Sequence, residues 1–283
     1  MGFFDILKML LLAAAEGLTE WLPVSNTGHI SVLGHYLGFG DWNTSTVLRE
    51  LYVGAATLGA VLAACALFLP GNGPFTKTLD GKRVVADERV RFYTAIGIGW
   101  IPCLLLSLIF GSKLSDFLYD PKAMQNQRLT VVCMIVGGAL LLLSELRNRN
   151  RIPRYERMEE VPVKIIIVLG LTQLAGFLPG ASRFGLAILV AMALGVSRRT
   201  SVTLAVFVSM PAAVVCGALP ILRNLGHIGG IYVSEMMMAS ILAFLISFFA
   251  LRAILTVLTE NSMVRFGRYR IAFGVLLYLF FIL

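Results

Sequence analysis

The feature that most constrains this chain is a series of six apolar runs, near residues 51–69, 92–111, 129–146, 202–222, 234–258 and 264–283. Each is close to the roughly 20 residues a helix needs to cross a hydrocarbon core, where a helix satisfies every backbone group internally. Six such runs in 283 residues leave little sequence for a soluble core. Composition agrees: 58% of residues are hydrophobic, 14% are charged, and the mean hydropathy is +0.82. A soluble domain carries nearly twice that share of charge. The expected class is an all-α, polytopic membrane protein, a single transmembrane domain over 1–283.

Four further apolar stretches, 3–15, 21–38, 163–179 and 185–196, are short or interrupted by polar residues, Gly or Pro. Charge decides how they run. The net charge of +8 and pI near 9.6 invite a nucleic-acid reading, but the basic residues sit in short connections between apolar runs. Membrane orientation accounts for them, because short cytoplasmic loops retain Lys and Arg, and no nucleic-acid partner is expected. The richest loops are 77–91 and 147–164; two spans separate them, so they share a side. With that side cytoplasmic, the loops at 112–128 and 39–49 are external. Arg198, Arg199 and the group Arg265, Arg268 and Arg270 are then internal. The count closes only if 163–179 and 185–196 form a hairpin that enters and leaves on the cytoplasmic side. The stretches 3–15 and 21–38 then form an opposite hairpin. The N-terminus shows no basic region or cleavage site of a signal peptide. The scattered Cys65, Cys103, Cys133 and Cys216 have neither the CxxC spacing nor the His partners of a zinc site.

The two hairpins resemble each other. Gly17-Leu18-Thr19-Glu20, Leu22-Pro23, a Ser and Gly28 are echoed by Gly170-Leu171-Thr172-Gln173, Leu178-Pro179, a Ser and Gly185. A broken segment repeated in opposite orientation is the pattern of an inverted-topology repeat whose broken helices meet near the midplane. The expected halves are 1–146 and 147–283, each with a re-entrant helical hairpin.

The first hairpin carries EGLTEWLPVSNTGH over residues 16–29. Glu16 and Glu20 are four apart, on one helix face, and ionisable groups at this depth line a substrate or ion path or face interfacial water. Two such carboxylates suit a hard divalent cation, Mg²⁺ or Ca²⁺. Ser25, Asn26 and Thr27 are expected in the loop that opens the returning half-helix, where backbone N–H groups and the dipole favour an anion such as pyrophosphate. Their hydroxyls equally serve as caps. His29 follows as a general acid, a nucleophile or a buried hydrogen-bonded residue. The second hairpin supplies PGASRFG over residues 179–185, in which the Arg183 guanidinium demands an anionic partner: a phosphate, or Glu16 or Glu20 across the repeat.

EGLTEWLPVSNTGH resembles the EGLTEFLPVSSTGH signature of the undecaprenyl pyrophosphate phosphatase (bacitracin resistance) family, and PGASRFG resembles its second signature, PGxSRSG. The resemblance in length and span order covers essentially the whole chain. It implies an inverted-repeat membrane fold and a multi-pass location in the bacterial inner membrane, with the site facing the periplasm. It also implies divalent-metal-dependent removal of the terminal phosphate of a C55 polyprenyl pyrophosphate, which recycles the carrier for cell-envelope synthesis. By matching positions, Glu16 and Glu20 serve metal binding and acid/base work, His29 is catalytic or supporting, and Ser182 with Arg183 holds the pyrophosphate. The expected partners are the lipid and the membrane, with a homodimer allowed.

Departures from the signatures cluster in the polar site. Asn26 replaces the second Ser, the hydroxyl most often proposed as nucleophile, and an amide cannot take that role. Phe184 replaces the Ser after the signature Arg, Val53 and Thr57 stand where the family has Glu and Gln, and Thr203 replaces a Glu. Glu50, one turn before Val53, is a candidate substitute. Two readings follow: a phosphatase using a metal-activated water or His29, with Asn26 as a phosphate donor, or an impaired member that binds or translocates the carrier lipid.

Overall fold

The structure is a computed structural model, described over residues 3–37, 46–70, 75–77, 83–85, 87–119, 127–260 and 262–281. Among these residues ten α-helices follow in order: α1 (Phe3–Thr19), α2 (Asn26–Tyr36), α3 (Thr46–Phe68), α4 (Asp87–Tyr119), α5 (Gln127–Asn148), α6 (Val163–Leu171), α7 (Arg183–Ala193), α8 (Arg198–Arg223), α9 (Gly230–Glu260) and α10 (Val264–Phe281). A 3₁₀ segment, Thr172–Phe177, continues α6. An antiparallel pair of three-residue strands, Phe75–Lys77 and Arg83–Val85, lies in the basic loop before α4. The protein is an all-α polytopic membrane protein.

Helices α3, α4, α5, α8 and α9 contain spans long and apolar enough to cross a membrane. The sixth expected run is the helix α10, but its first two turns carry Arg265, Arg268 and Arg270. Helix α4 runs on to Tyr119, so the loop expected from 112 begins later. Part of that loop, and the stretch 39–45 expected to be external, lie outside the described residues. Helices α2 and α7 have 11 residues each. Their length of about 16 Å is half a hydrocarbon thickness.

The entry and exit of the second hairpin are adjacent. Tyr155, ahead of α6, pairs in parallel with Val196, just after α7. The Arg154 and Tyr155 N–H groups donate to the Gly195 carbonyl at 2.7 and 3.1 Å, and the Ser197 N–H donates to the Tyr155 carbonyl at 2.8 Å. The start of the α6 segment and the end of α7 therefore lie side by side. Glu145, near the end of α5, pairs with Arg198 at 2.6 Å and accepts from the Met263 N–H at 3.1 Å.

Corresponding positions of the two motifs pack on different long helices. Gly17 of α1 lies so close to α9 that a Cβ would stand 2.7 Å from the Ala243 carbonyl oxygen, and a Cβ on Gly170 of α6 would collide with the Gly99 backbone in α4. Small residues allow this backbone approach, which drives helix association where lipid removes the hydrophobic incentive. Helix α3 packs on both α8 and α9, and α5 packs on α10. Of the broken segments, α1 packs on α9 and α3, and α7 packs on α8 and α5.

Candidate active site

The loops after α1 and α6 turn by the same device. Ser25 and Ser182 hold left-handed conformations, with φ of 72° and 62°, and are the non-glycine residues at positive φ among those described. Each serine Oγ accepts the backbone N–H three residues on, Gly28 at 3.3 Å and Gly185 at 3.2 Å. Such conformations cost of order 1–3 kcal/mol each and persist where the surroundings enforce them. The cap satisfies one of the free N–H groups at each helix start. Asn26 and Thr27, expected in the loop, instead form the first turn of α2.

The loops meet face to face. A Cβ on Gly28 would touch Gly180 at 3.5 Å, and one on Gly185 would press on Pro23 at 3.1 Å. The N-termini of two half-helices thus open beside one another, with N–H groups and positive dipole ends available to an anion.

Charge gathers at this junction. Arg183, the first residue of α7, forms an ion pair with Glu20 Oε1, and Asn26 Nδ2 donates to Glu20 Oε2. Arg183 Nη1 also donates to Cys216 Sγ at 3.1 Å. Both Glu20 oxygens are therefore engaged, one from the first turn of each half-helix. Glu16 lies one turn away on α1 and is 3% exposed; its Oε1 accepts from Thr57 Oγ1 at 2.6 Å, while its buried Oε2 has no hydrogen-bond partner. Two buried carboxyl groups share one guanidinium, and one carboxyl oxygen is left without a partner. That donor chemistry fits a hard cation. Among the described residues no group of three or more His, Cys, Asp and Glu side chains converges, so oxygen ligands beyond Glu16 and Glu20 would come from elsewhere, including substrate.

His29 is turned to α10. Its Nδ1 lies 2.7 Å from the Ser25 carbonyl and its Nε2 lies 2.6 Å from the Tyr269 hydroxyl. A carbonyl only accepts, so Nδ1 carries the hydrogen, and Nε2 is paired with the Tyr269 hydroxyl. The ring also stacks on Phe273, with centroids 4.7 Å apart. Ser182 contributes its cap and a long 3.5 Å contact with the Leu22 carbonyl. Thr27 Oγ1 is 3.4 Å from Ser25 Oγ.

The departures separate into two groups. Asn26 and Thr57 hold the carboxylates just described. Phe184 is 1% exposed and packs edge-on against Trp21 at 6.3 Å, and Val53 is buried against α1 and α9, so both belong to the core. Thr203 bonds its own helix at the Arg199 carbonyl, 3.1 Å away. Glu50 does not replace the missing carboxylate in the site, because Asn224 donates to it at 2.9 Å at the far end of α8. The main correction concerns Arg270: expected beside Arg265 and Arg268 at the cytoplasmic surface, it is 1% exposed at the loop junction. A cation with no acidic residue on its own helix, placed against an apolar run, was the signal available.

Two broken helical segments whose N-termini open beside one another, joined by a buried Arg–Glu pair, make this a polytopic membrane protein with a charged junction inside the bundle. The family described as bacitracin resistance protein BacA matches residues 9–276, and the chain belongs to that family. The chain is similar to undecaprenyl-diphosphatases: that of Lachnoclostridium phytofermentans is 27% identical over 283 residues, covering 100% of this chain and 99% of the relative. That of Enterococcus faecalis is 25% identical over 279 residues, covering 99% and 98%. That of Neisseria meningitidis serogroup C is 28% identical over 276 residues, covering 97% and 95%.

Proposed function

We propose that the chain is an undecaprenyl-diphosphatase, a membrane hydrolase that removes the terminal phosphate of a polyprenyl pyrophosphate and returns the carrier lipid to cell-envelope synthesis. The observation that carries the reading is the meeting of Arg183 with Glu20 and Asn26 across the two loops. Family membership and full-length relatives of that name support it.

The pyrophosphate takes the place that both half-helix N-termini face, with Arg183 as its bidentate donor. Its negative charge competes with Glu20 for the guanidinium. Glu20 Oε1 is then released to accept a proton from the attacking water, whose oxygen bonds to the terminal phosphorus as the bridging P–O bond breaks. Asn26 keeps Glu20 oriented through its other oxygen. No side-chain nucleophile is required, so the loss of the signature hydroxyl at position 26 is compatible with turnover. Glu16, through its free Oε2, and Glu20 would hold a divalent cation, Mg²⁺ or Ca²⁺, which when bound neutralises phosphate charge and polarises the reacting oxygens. His29 acts through Ser25, whose carbonyl it holds.

The same proposal includes two inverted repeats, 1–146 and 147–283, with re-entrant hairpins. The matched Ser25 and Ser182 caps, and the matched packing of Gly17 and Gly170, support that symmetry. It also includes a bacterial inner-membrane location with the site open to the periplasmic side, which the family resemblance implies; the distribution of Lys and Arg supports only which loops are cytoplasmic.

Phosphate release from undecaprenyl pyrophosphate by purified protein tests the function. Release is expected to stop with EDTA and to return with Mg²⁺ or Ca²⁺, and Glu16→Gln should raise the cation concentration needed. Tight lipid binding with no phosphate released would instead identify a carrier-lipid binder.

A further inference from the structure

Arg270 is the buried cation that the proposed chemistry leaves unused. Its side chain donates to backbone carbonyls alone: Nε to Met134 at 3.4 Å, Nη1 to Pro23 at 3.2 Å, and Nη2 to Gly180 at 2.7 Å, Cys133 at 3.0 Å and Ala181 at 3.4 Å. Pro23 belongs to the first loop, Gly180 and Ala181 to the second, and Cys133 and Met134 to α5. Among the described residues no carboxylate forms an ion pair with it. Desolvating a guanidinium is costly, and donating to several carbonyls of fixed position is the arrangement that recovers it without an anion.

The surroundings are shaped for this one group. A Cβ on Gly137 would overlap the guanidinium, so glycine at that position of α5 makes the room. Tyr269, the preceding residue, bonds His29, which bonds the Ser25 carbonyl. Helix α10 therefore holds the first loop through Arg270 and, by way of His29, Tyr269, and the second loop through Arg270. The held loop carbonyls, those of Pro23, Gly180 and Ala181, lie within a few residues of Ser25 and Ser182, the two strained positions next to Asn26 and Arg183.

We propose that Arg270 is a positioning residue: its guanidinium ties the two loops into one rigid unit and thereby sets the distance between the Glu20 and Arg183 sides of the site. A lysine cannot replace it, because an ammonium is a point donor and does not span acceptors on three segments. The inference rests on the proposed phosphatase reading only for its kinetic arm.

The test uses the full-length protein in detergent or lipid, as Arg270→Lys, Arg270→Ala and Gly137→Ala, with the exposed Arg268→Ala as control. The turnover number for undecaprenyl pyrophosphate should fall on the order of 10²-fold in the three variants, the cost of a misplacement of about 1 Å, while KM moves less than about threefold. Hydrogen exchange should quicken together in 22–28 and 178–185, although these stretches are far apart in the chain, and stay unchanged along α3 and α9. Guanidinium added to Arg270→Ala should restore turnover and slow exchange, where ammonium should not. Turnover within about threefold of the parent in both Arg270 variants, or exchange that quickens in one loop alone, overturns the inference. So does exchange that quickens uniformly through all helices, since that describes a role in general stability. A parent that releases no phosphate refutes the phosphatase reading instead, and leaves the exchange arm to decide the role of Arg270.

Discussion

The Arg183 guanidinium rests on the Glu20 carboxylate, although 163 residues separate them in the chain. Each belongs to a different broken segment, and their side chains are only 15% and 2% exposed, so either one alone would be an uncompensated charge in a low-dielectric setting. The pair therefore ties the two broken segments together, and under the proposed function it holds the base and the phosphate donor of the reaction.

Arg183→Ala should weaken binding of lipid pyrophosphate by roughly 2–5 kcal/mol, the cost of truncating one member of a desolvated charge pair. Arg183→Lys should recover only part of it, because the bidentate geometry is lost. Equilibrium binding of a radiolabelled polyprenyl pyrophosphate measures both. Parent-like affinity in the alanine variant would refute the assignment of the anion site.

Glu20→Gln should lower turnover by roughly 10²–10⁴-fold, since an amide cannot accept the proton of the attacking water. Asn26→Ser, by contrast, should leave turnover within about an order of magnitude, because Asn26 orients Glu20 and does not attack phosphorus. A large gain in the serine variant, read in the same phosphate-release assay, would mean that a hydroxyl at position 26 is the preferred nucleophile.

Phe184→Ala should destabilise the protein by about 3–5 kcal/mol while changing KM little, because Phe184 fills the core beside Trp21 and reaches no charged group of the site. Thermal unfolding in detergent, beside steady-state kinetics, separates the two effects. A specific rise in KM with an unchanged unfolding temperature would place Phe184 at the substrate instead.

Cysteines introduced at Asn43 and Arg199 should react with an impermeant maleimide from opposite sides of intact cells, Asn43 from outside. Arg199 is exposed and adjoins the Arg198–Glu145 pair, so labelling there leaves the pair intact. Labelling of both from one side would overturn the orientation.

Much of this was legible in the sequence for physical reasons. A hydrocarbon core imposes a helix of fixed length, and five of the six apolar runs became spans of that kind. The Pro, Ser and Gly between Leu22 and Gly28, and between Leu178 and Gly185, marked where helices must break. Density of charge at that depth singled out Glu16, Glu20 and Arg183, since such groups are too costly to keep without partners. What tertiary structure alone decided was which partner each group found. Arg270 has the sequence surroundings of a loop cation, but its acceptors lie 89, 90, 136, 137 and 247 residues away, as backbone carbonyls that no side-chain identity reveals. His29 could have faced the carboxylates until α10 brought Tyr269 and Phe273 to its ring. Thr57, read as a lost family Gln, proved to be a donor to Glu16, and Phe184, read as a change in the site, proved to be core. Local sequence determines whether a segment is helical, how long it is and where it must bend; the rotation of each helix against its neighbours depends on packing summed over the whole bundle, and it selects the face on which a residue acts.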